Sequence, residues 1–397
     1  MSIPRQVIGK LLSIDQFILN SLPADGLETR CGVWFRDFIM SDYSLPKVAD
    51  TDVVFFRSMA RDDYRDSFHS VIRASGVPDP VIVENYQTRF QPARLNHRAS
   101  RFMLENQALF DQIDEPDAVK RKILFIRLCL YAYILDHFKK AKPRAVVFFA
   151  DMQPVEYLLS WYFRSIGVKT VTMQHGLYVD YGSHDTINTI NYMHQPSEYF
   201  LSWGPETSDL IARYQPDTTV VECGKPLIFN AHPPEGKKRD RPYVALLLDQ
   251  KPFHKQNEEL IEIAQAYALR KGLDVCVRFH PSLPKAEIIK KYPGMTEQLH
   301  FTDAQLVIGH TSSMVYEALA LGCRVMRYAS DIPAIRLPDN SEFRTLKELE
   351  ARMALPKPDN LSRRYFTAIG DESLKNYRSF FDGLLNTAEN QPVQRIS

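Results

Sequence analysis

The feature that most constrains this chain is an alternation, repeated in two blocks, of short apolar runs with longer stretches of helical spacing. That is the pattern of parallel strands joined by crossover helices. A strand buried on both faces of a parallel sheet reads as a continuous apolar run. Five such runs lie in the first half: Asp52–Phe56, Pro80–Val83, Ala145–Ala150, Thr170–Met173 and Glu198–Ser202. Between the third and fourth, Val155–Ile166 has helical spacing and stops at Gly167, so strand, helix and strand form one crossover unit. His232–Pro242, HPPEGKKRDRP, is dense in proline and charge and has no apolar period, as interdomain linkers do. The pattern restarts with Tyr243–Leu248, Val275–Phe279, Gln305–Gly309 and Arg324–Tyr328, with helices expected over Asn257–Arg270, Lys285–Lys291 and Ser312–Leu321.

The expectation is an α/β protein of two Rossmann-like domains facing a central cleft. Residues 1–231 form the first, 232–242 link, 243–345 form the second, and 346–397 are a helical segment returning to the first. A length of 397 residues agrees, since single cores cluster near ~100–150 residues. Lys plus Arg is 49 and Asp plus Glu is 48, a formal charge of +1. So balanced a surface is not devoted to coating nucleic acid or anionic lipid. The five cysteines, Cys31, Cys129, Cys223, Cys276 and Cys323, are far apart without a CxxC pair, which fits a reducing cytoplasm rather than a disulfide or zinc framework. Ile123–Leu135, the most apolar stretch, is interrupted by Arg127 and falls short of the ~20 residues of a membrane span, so it is expected to be a buried helix. Peripheral attachment at the inner membrane face through the first helix stays open.

Three segments carry chemistry, each at the carboxyl end of an expected strand. Gly309-His310-Thr311-Ser312-Ser313 opens a helix whose free amides and dipole favour phosphate, and Glu317 lies one turn on, spaced to accept from a ribose hydroxyl. The plain alternative is an N-cap at Thr311 or Ser312. Arg278-Phe279-His280-Pro281 follows a buried strand that Pro281 ends, aiming His280 at the cleft beside Arg278. Gln174-His175-Gly176 ends a first-domain strand, where a histidine suits general-base work or is simply bonded to a turn. Asp180, His184 and Asp185 follow in a polar loop that lines an acceptor pocket or is solvated. Asp151 and, one helical turn on, Glu156 are the alternative bases, and Lys225 approaches the phosphates from a hinge at Cys223–Pro226. Asp50-Thr51-Asp52 resembles a metal-binding DxD but precedes its strand, so it is read as a turn. GxxxxGK[ST], GxGxxG and GxSxG are absent from the sequence, which removes the usual support for ATPase, dinucleotide oxidoreductase and α/β-hydrolase readings.

Taken together, RFHPS and GHTSSMVYEALALG resemble the HP and serine motifs of bacterial sialyltransferases and Kdo transferases, which use CMP-sugars, and the corresponding region of CDP-glycerol glycerophosphotransferases. MQHG resembles the first-domain histidine motif of the latter and of capsule-type transferases. The resemblance is to GT-B glycosyltransferases of bacterial surface polysaccharide synthesis, covering capsule, O-antigen and lipopolysaccharide. It implies donor binding by Arg278, His280, Pro281, Thr311, Ser312, Ser313, Glu317 and Lys225. It also implies acceptor binding by Gln174, Asp180, His184 and Asp185, and catalysis by Asp151, Glu156 or His175 with His280 at the leaving group. Implied partners are a nucleotide-sugar donor and a saccharide or lipid-linked saccharide acceptor, with no nucleic acid, no cofactor and no metal. The DDG-type motif that supplies the base in one sialyltransferase group is missing. Rival expectations are a CDP-glycerol, CDP-ribitol or UDP-sugar transferase, a sugar-nucleotide epimerase on the same scaffold, and a noncatalytic saccharide-binding scaffold.

Overall fold

The computed structural model describes residues 3–50, 52–84, 87–90, 94–184, 186–228, 241–357 and 362–389. Two parallel six-stranded sheets organise them. The first contains β1 (Val53–Arg57), β2 (Val81–Glu84), β3 (Ala145–Phe148), β4 (Lys169–Met173), β5 (Tyr199–Ser202) and β6 (Thr219–Glu222), in spatial order β2-β1-β3-β4-β5-β6. The second contains β7 (Tyr243–Leu247), β8 (Asp274–Arg278), β9 (Met295–Glu297), β10 (Leu306–Gly309), β11 (Val325–Tyr328) and β12 (Glu342–Phe343), in order β9-β8-β7-β10-β11-β12. Each central strand is an apolar run buried along its length, β1, β3, β7 and β10 among them. β6, β9 and β12, which the sequence does not announce, are short strands at the sheet edges, where fewer apolar residues are needed.

In both sheets the connections reverse direction once, between β1 and β3 and between β7 and β10. At such a switch point the loops leave on opposite faces and open a crevice beyond the strands' carboxyl ends. The site lies between the carboxyl ends of the two sheets.

Ala118–Phe138 forms the expected buried helix. Arg127 is tolerated there because its Nε donates to Asp15 Oδ1 at 3.1 Å, and Tyr131 donates to Asp15 Oδ2 at 2.6 Å. Among the described residues no helix is long and apolar enough to cross a membrane.

The return of the chain needs a correction. Leu346–Met353, expected in the returning segment, packs Leu349 into the second core beside Leu260 and Phe343. The crossing begins later. Thr367 N donates to Trp203 O, Lys225 N to Ala368 O and Gly370 N to Lys225 O, at 2.8, 2.9 and 3.0 Å. Gly224 permits this approach: its φ is +88°, and a Cβ there would lie 2.4 Å from Ala368 O. The helix Asp371–Glu389 then buries Tyr377, Phe381 and Leu384 against Phe55, Phe68 and Val147 of the first sheet's core. Most of the expected linker, residues 232–240, lies outside the described residues.

Candidate functional site

A cleft of about 840 Å³ runs between the two sheets' carboxyl ends. Its second-sheet wall is built at the β7/β10 switch point. Asp249 follows β7, and its backbone is fixed by the buried Asn257, whose side chain accepts from Asp249 N at 2.9 Å and donates to Asp249 O at 3.0 Å. Asp249 Oδ2 then accepts from both Thr311 N and Thr311 Oγ1, at 2.7 and 2.8 Å, tying the loop after β7 to the turn after β10. Asp249 is not among the expected site residues. Its one signal was an acid ending the apolar run YVALLLD.

The serine turn is shaped by Gly309, where a Cβ would lie 2.4 Å from Val315 Cγ2, so only glycine lets the helix Ser313–Ala320 fold back so closely. Ser312 is the N-cap and Ser313 the first helical residue, and both line the cleft. Ser313 Oγ donates to Glu317 Oε1 at 3.1 Å. The same oxygen meets Lys225 Nζ at 2.5 Å, with that ammonium 4.3 Å from the Trp203 ring centroid. Lys225 and Glu317 are both buried and both line the cleft, so this pair joins the hinge to the serine helix.

His280 lines the same cleft. Its Nδ1 accepts the Ser282 N–H at 3.1 Å and contacts Ser282 Oγ at 2.8 Å. A nitrogen accepting from an amide bears no proton, so the neutral ring carries its N–H at Nε2. Burial, and after it the nearby Arg61 guanidinium, holds the pKa below its ordinary value and keeps the ring neutral. Arg278 and Pro281 also line the cleft, with Arg278 Nη1 donating to Leu299 O at 2.7 Å. Each sequence-predicted donor-side residue therefore reaches one surface.

The first-sheet wall differs from expectation. Asp151 and Glu156 do not line the cleft: both are fully buried, which removes them as candidate bases. Glu156 Oε1 accepts from Ser58 N and Oγ at 2.8 and 2.5 Å, and Oε2 from Ala150 N at 2.6 Å, so it stitches the β1/β3 switch point shut. Asp151 Oδ2 accepts from Ser197 N at 3.0 Å, while Oδ1 has no hydrogen-bond partner among the described residues. Burial pushes Asp151 up to about 7 and Glu156 up to about 8. Gln174 is buried too, accepting from Trp203 N at 2.5 Å and donating to Gly176 O and Thr207 Oγ1, so it holds the floor rather than an acceptor. Asp180 pairs outside the cleft with Arg213 at 2.7 Å, and His184 is exposed away from it. Asp185 lies outside the described residues.

His175 remains. It lines the cleft among Tyr64, Phe149 and Tyr178, with Nδ1 2.9 Å from Tyr178 Oη. Burial, and then Arg61, lowers its pKa to about 4, so it is neutral at physiological pH. Arg61, Asp63 and Tyr64 also line the cleft, without any motif that announces them. Arg61 Nε and Nη2 donate to the two oxygens of Asp63 at 3.1 and 2.5 Å, and its Cζ lies 4.0 Å from the Tyr64 ring centroid. They sit at the start of a helix, Asp62–Ser75, in charged sequence indistinguishable from a solvated face.

No protein-family model matches the sequence, and no curated protein matches it. Solved structures do. The UDP-GlcNAc 2-epimerase of Methanocaldococcus jannaschii in complex with UDP-GlcNAc and UDP superposes with a TM-score of 0.55 at 11% identity, over 85% of this chain and 100% of that one. The S. aureus MnaA–UDP structure gives 0.50 at 10% identity, over 85% and 98%. The wall teichoic acid polymerase TagF gives 0.47 at 12% identity, over 98% and 99%. At such identities the likeness is one of fold, and together with the two facing parallel sheets it makes this chain a protein of the GT-B fold.

Proposed function

We propose that this protein is a glycosyltransferase that moves a sugar from a nucleotide-activated donor, a CMP-sugar in the first instance, to a saccharide hydroxyl in surface polysaccharide synthesis at the cytoplasmic face of the membrane. The observation that carries the reading is the meeting, at the second sheet's open switch point, of the Ser312–Ser313 helix start with the His280 imidazole in one cleft. Phosphate suits such a place, since helix-terminal amides, the Ser312 hydroxyl and an Nε2–H all donate.

In this reading the acceptor hydroxyl oxygen attacks the donor's anomeric carbon as the carbon–oxygen bond to the phosphate breaks. His280 Nε2–H and the serine turn stabilise the charge left on the departing phosphate, and no metal is required of the residues. His175 receives the acceptor proton at Nε2, its Nδ1–H then donating to Tyr178 Oη. Glu317 holds the ribose, and Lys225, released from it, approaches the phosphate.

Replacing His280 by alanine is expected to lower turnover by roughly 10²–10³-fold, the effect of losing one charge-stabilising donor, with the melting temperature retained. Normal turnover would remove His280 from the mechanism. The epimerase alternative works on the donor sugar without an acceptor, and incubation with UDP-GlcNAc alone distinguishes it. Epimer formation there would replace the transferase reading.

A further inference from the structure

The two walls of the cleft differ in charge. The second wall carries two cations, Arg278 and Lys285, and two acids, Asp249 and Glu317, with Lys225 at the seam paired to Glu317. Among the described residues of the first wall up to Trp203, only Arg61 and Asp63 carry a formal charge. These cancel: both Asp63 oxygens accept from the Arg61 guanidinium, whose Nη1 donates to Tyr64 Oη at 3.0 Å. His175 stays neutral, and Asp180, expected on this wall, faces elsewhere. What the wall offers is amide and apolar surface. Asn188 Nδ2 lies 3.4 Å from Tyr181 Oη, and the Asn191 carboxamide has no hydrogen-bond partner among the described residues. Ile14, Ile187 and Ile190 complete it.

A phosphate or carboxylate brought against this wall would lose its water without gaining an uncommitted cation, which is unfavourable. A sugar ring matches it instead, with hydroxyls to amides and C–H faces to apolar and aromatic side chains. Resting on the transferase reading above, we propose that the first wall is an acceptor subsite for an uncharged saccharide, and that acceptors bearing phosphate at the reacting end are excluded. The cleft is thus divided, with anion recognition confined to the donor side. Transfer onto a polyol-phosphate chain does not fit the first wall.

The test uses ligand-detected saturation-transfer NMR on the full-length protein, its nucleotide site saturated with whichever of CMP, CDP, UDP or GDP binds. The probes are p-nitrophenyl glycosides of glucose, galactose and N-acetylglucosamine, each paired with its 6-phosphate. The expected result is transfer to at least one neutral glycoside, weaker or absent in its phosphorylated partner, and lost in the Asn188→Ala/Asn191→Ala double variant. The proposal is overturned if a phosphorylated probe binds more tightly than its neutral partner, if no neutral glycoside binds, or if the double variant binds as the wild type does. Failure of every nucleotide to bind would instead count against the transferase reading, so the two failures are distinguishable.

Discussion

The two sheets meet the same topological problem, a crevice where the connections change direction, and each answers with one carboxylate. At the first switch point Glu156, from the helix after β3, reaches back into the crevice and takes three donors from the loops on either side. It fills the space it bridges. At the second, Asp249 stands on the strand end itself and binds the opposite loop with one oxygen, leaving the helix start at Ser312 and Ser313 facing the cleft. Where the carboxylate comes from thus decides whether a switch point is sealed or remains a binding site. The sealed one supplies rigidity to a neutral wall. The open one keeps its donors for a ligand.

Removing the two carboxylates in turn tests that division. Glu156→Ala leaves the half-buried amide of Ser58 and the buried amide of Ala150 without partners and should cost roughly 3–5 kcal/mol in chemical denaturation, while the folded fraction keeps its nucleotide affinity. A loss below about 1 kcal/mol would deny Glu156 its stitching role. Asp249→Ala strands Thr311 N, its hydroxyl and the buried His310 Nδ1, which lies 3.1 Å from Asp249 Oδ2, and should cost about 2–4 kcal/mol. Its nucleotide affinity should fall more than tenfold, because the serine turn loses its anchor. Affinity unchanged in a calorimetric titration would separate Asp249 from the donor seat.

The finest contrast is in pH. The folded-state pKa of Asp151 is raised to about 7, so the native protein holds a proton that the unfolded chain releases near pH 4. Its contribution is fully present below that unfolded value and is lost as pH rises through about 7, by at most ~1.4 kcal/mol per pH unit. Half-buried His175 runs the other way. Its folded pKa is lowered to about 4, so its contribution is present above the usual histidine range near 6.5 and fades as pH falls toward 4. Asp151→Asn resembles the protonated acid, with an amide available where Oδ1 has no partner. Its stability relative to wild type should therefore rise from pH 5 to about pH 7 and level off above it. A pH-independent difference would show that Asp151 is ionised in the folded state.

The sequence made the fold legible because central parallel strands must be apolar throughout, and runs such as AVVFFA and YVALLL have few other uses. Edge strands such as Met295–Glu297 escape because they are short and half solvated. Donor-side residues were legible for a related reason: a strand end, a glycine and two serines sit within five positions, so local order implies local geometry. The first wall was not. Asp151, Glu156 and Gln174 stand at strand ends and helix starts just as His175 does, and only the three-dimensional path of Ser58, Ser197 and Trp203 commits their polar atoms to the backbone. Arg61 matters through its field at His175 and His280, both distant in sequence, which no spacing rule reveals.

Calorimetric titration of CMP, CDP, UDP and GDP into the wild type and the Ser312→Ala/Ser313→Ala variant bears most directly on the donor seat. The prediction is that at least one nucleotide binds the wild type and that the variant, its fold intact by circular dichroism, binds it at least tenfold more weakly. Equal affinity in the two proteins, or no binding of any of the four to the wild type, would contradict the assignment of the open switch point to a nucleotide's phosphates.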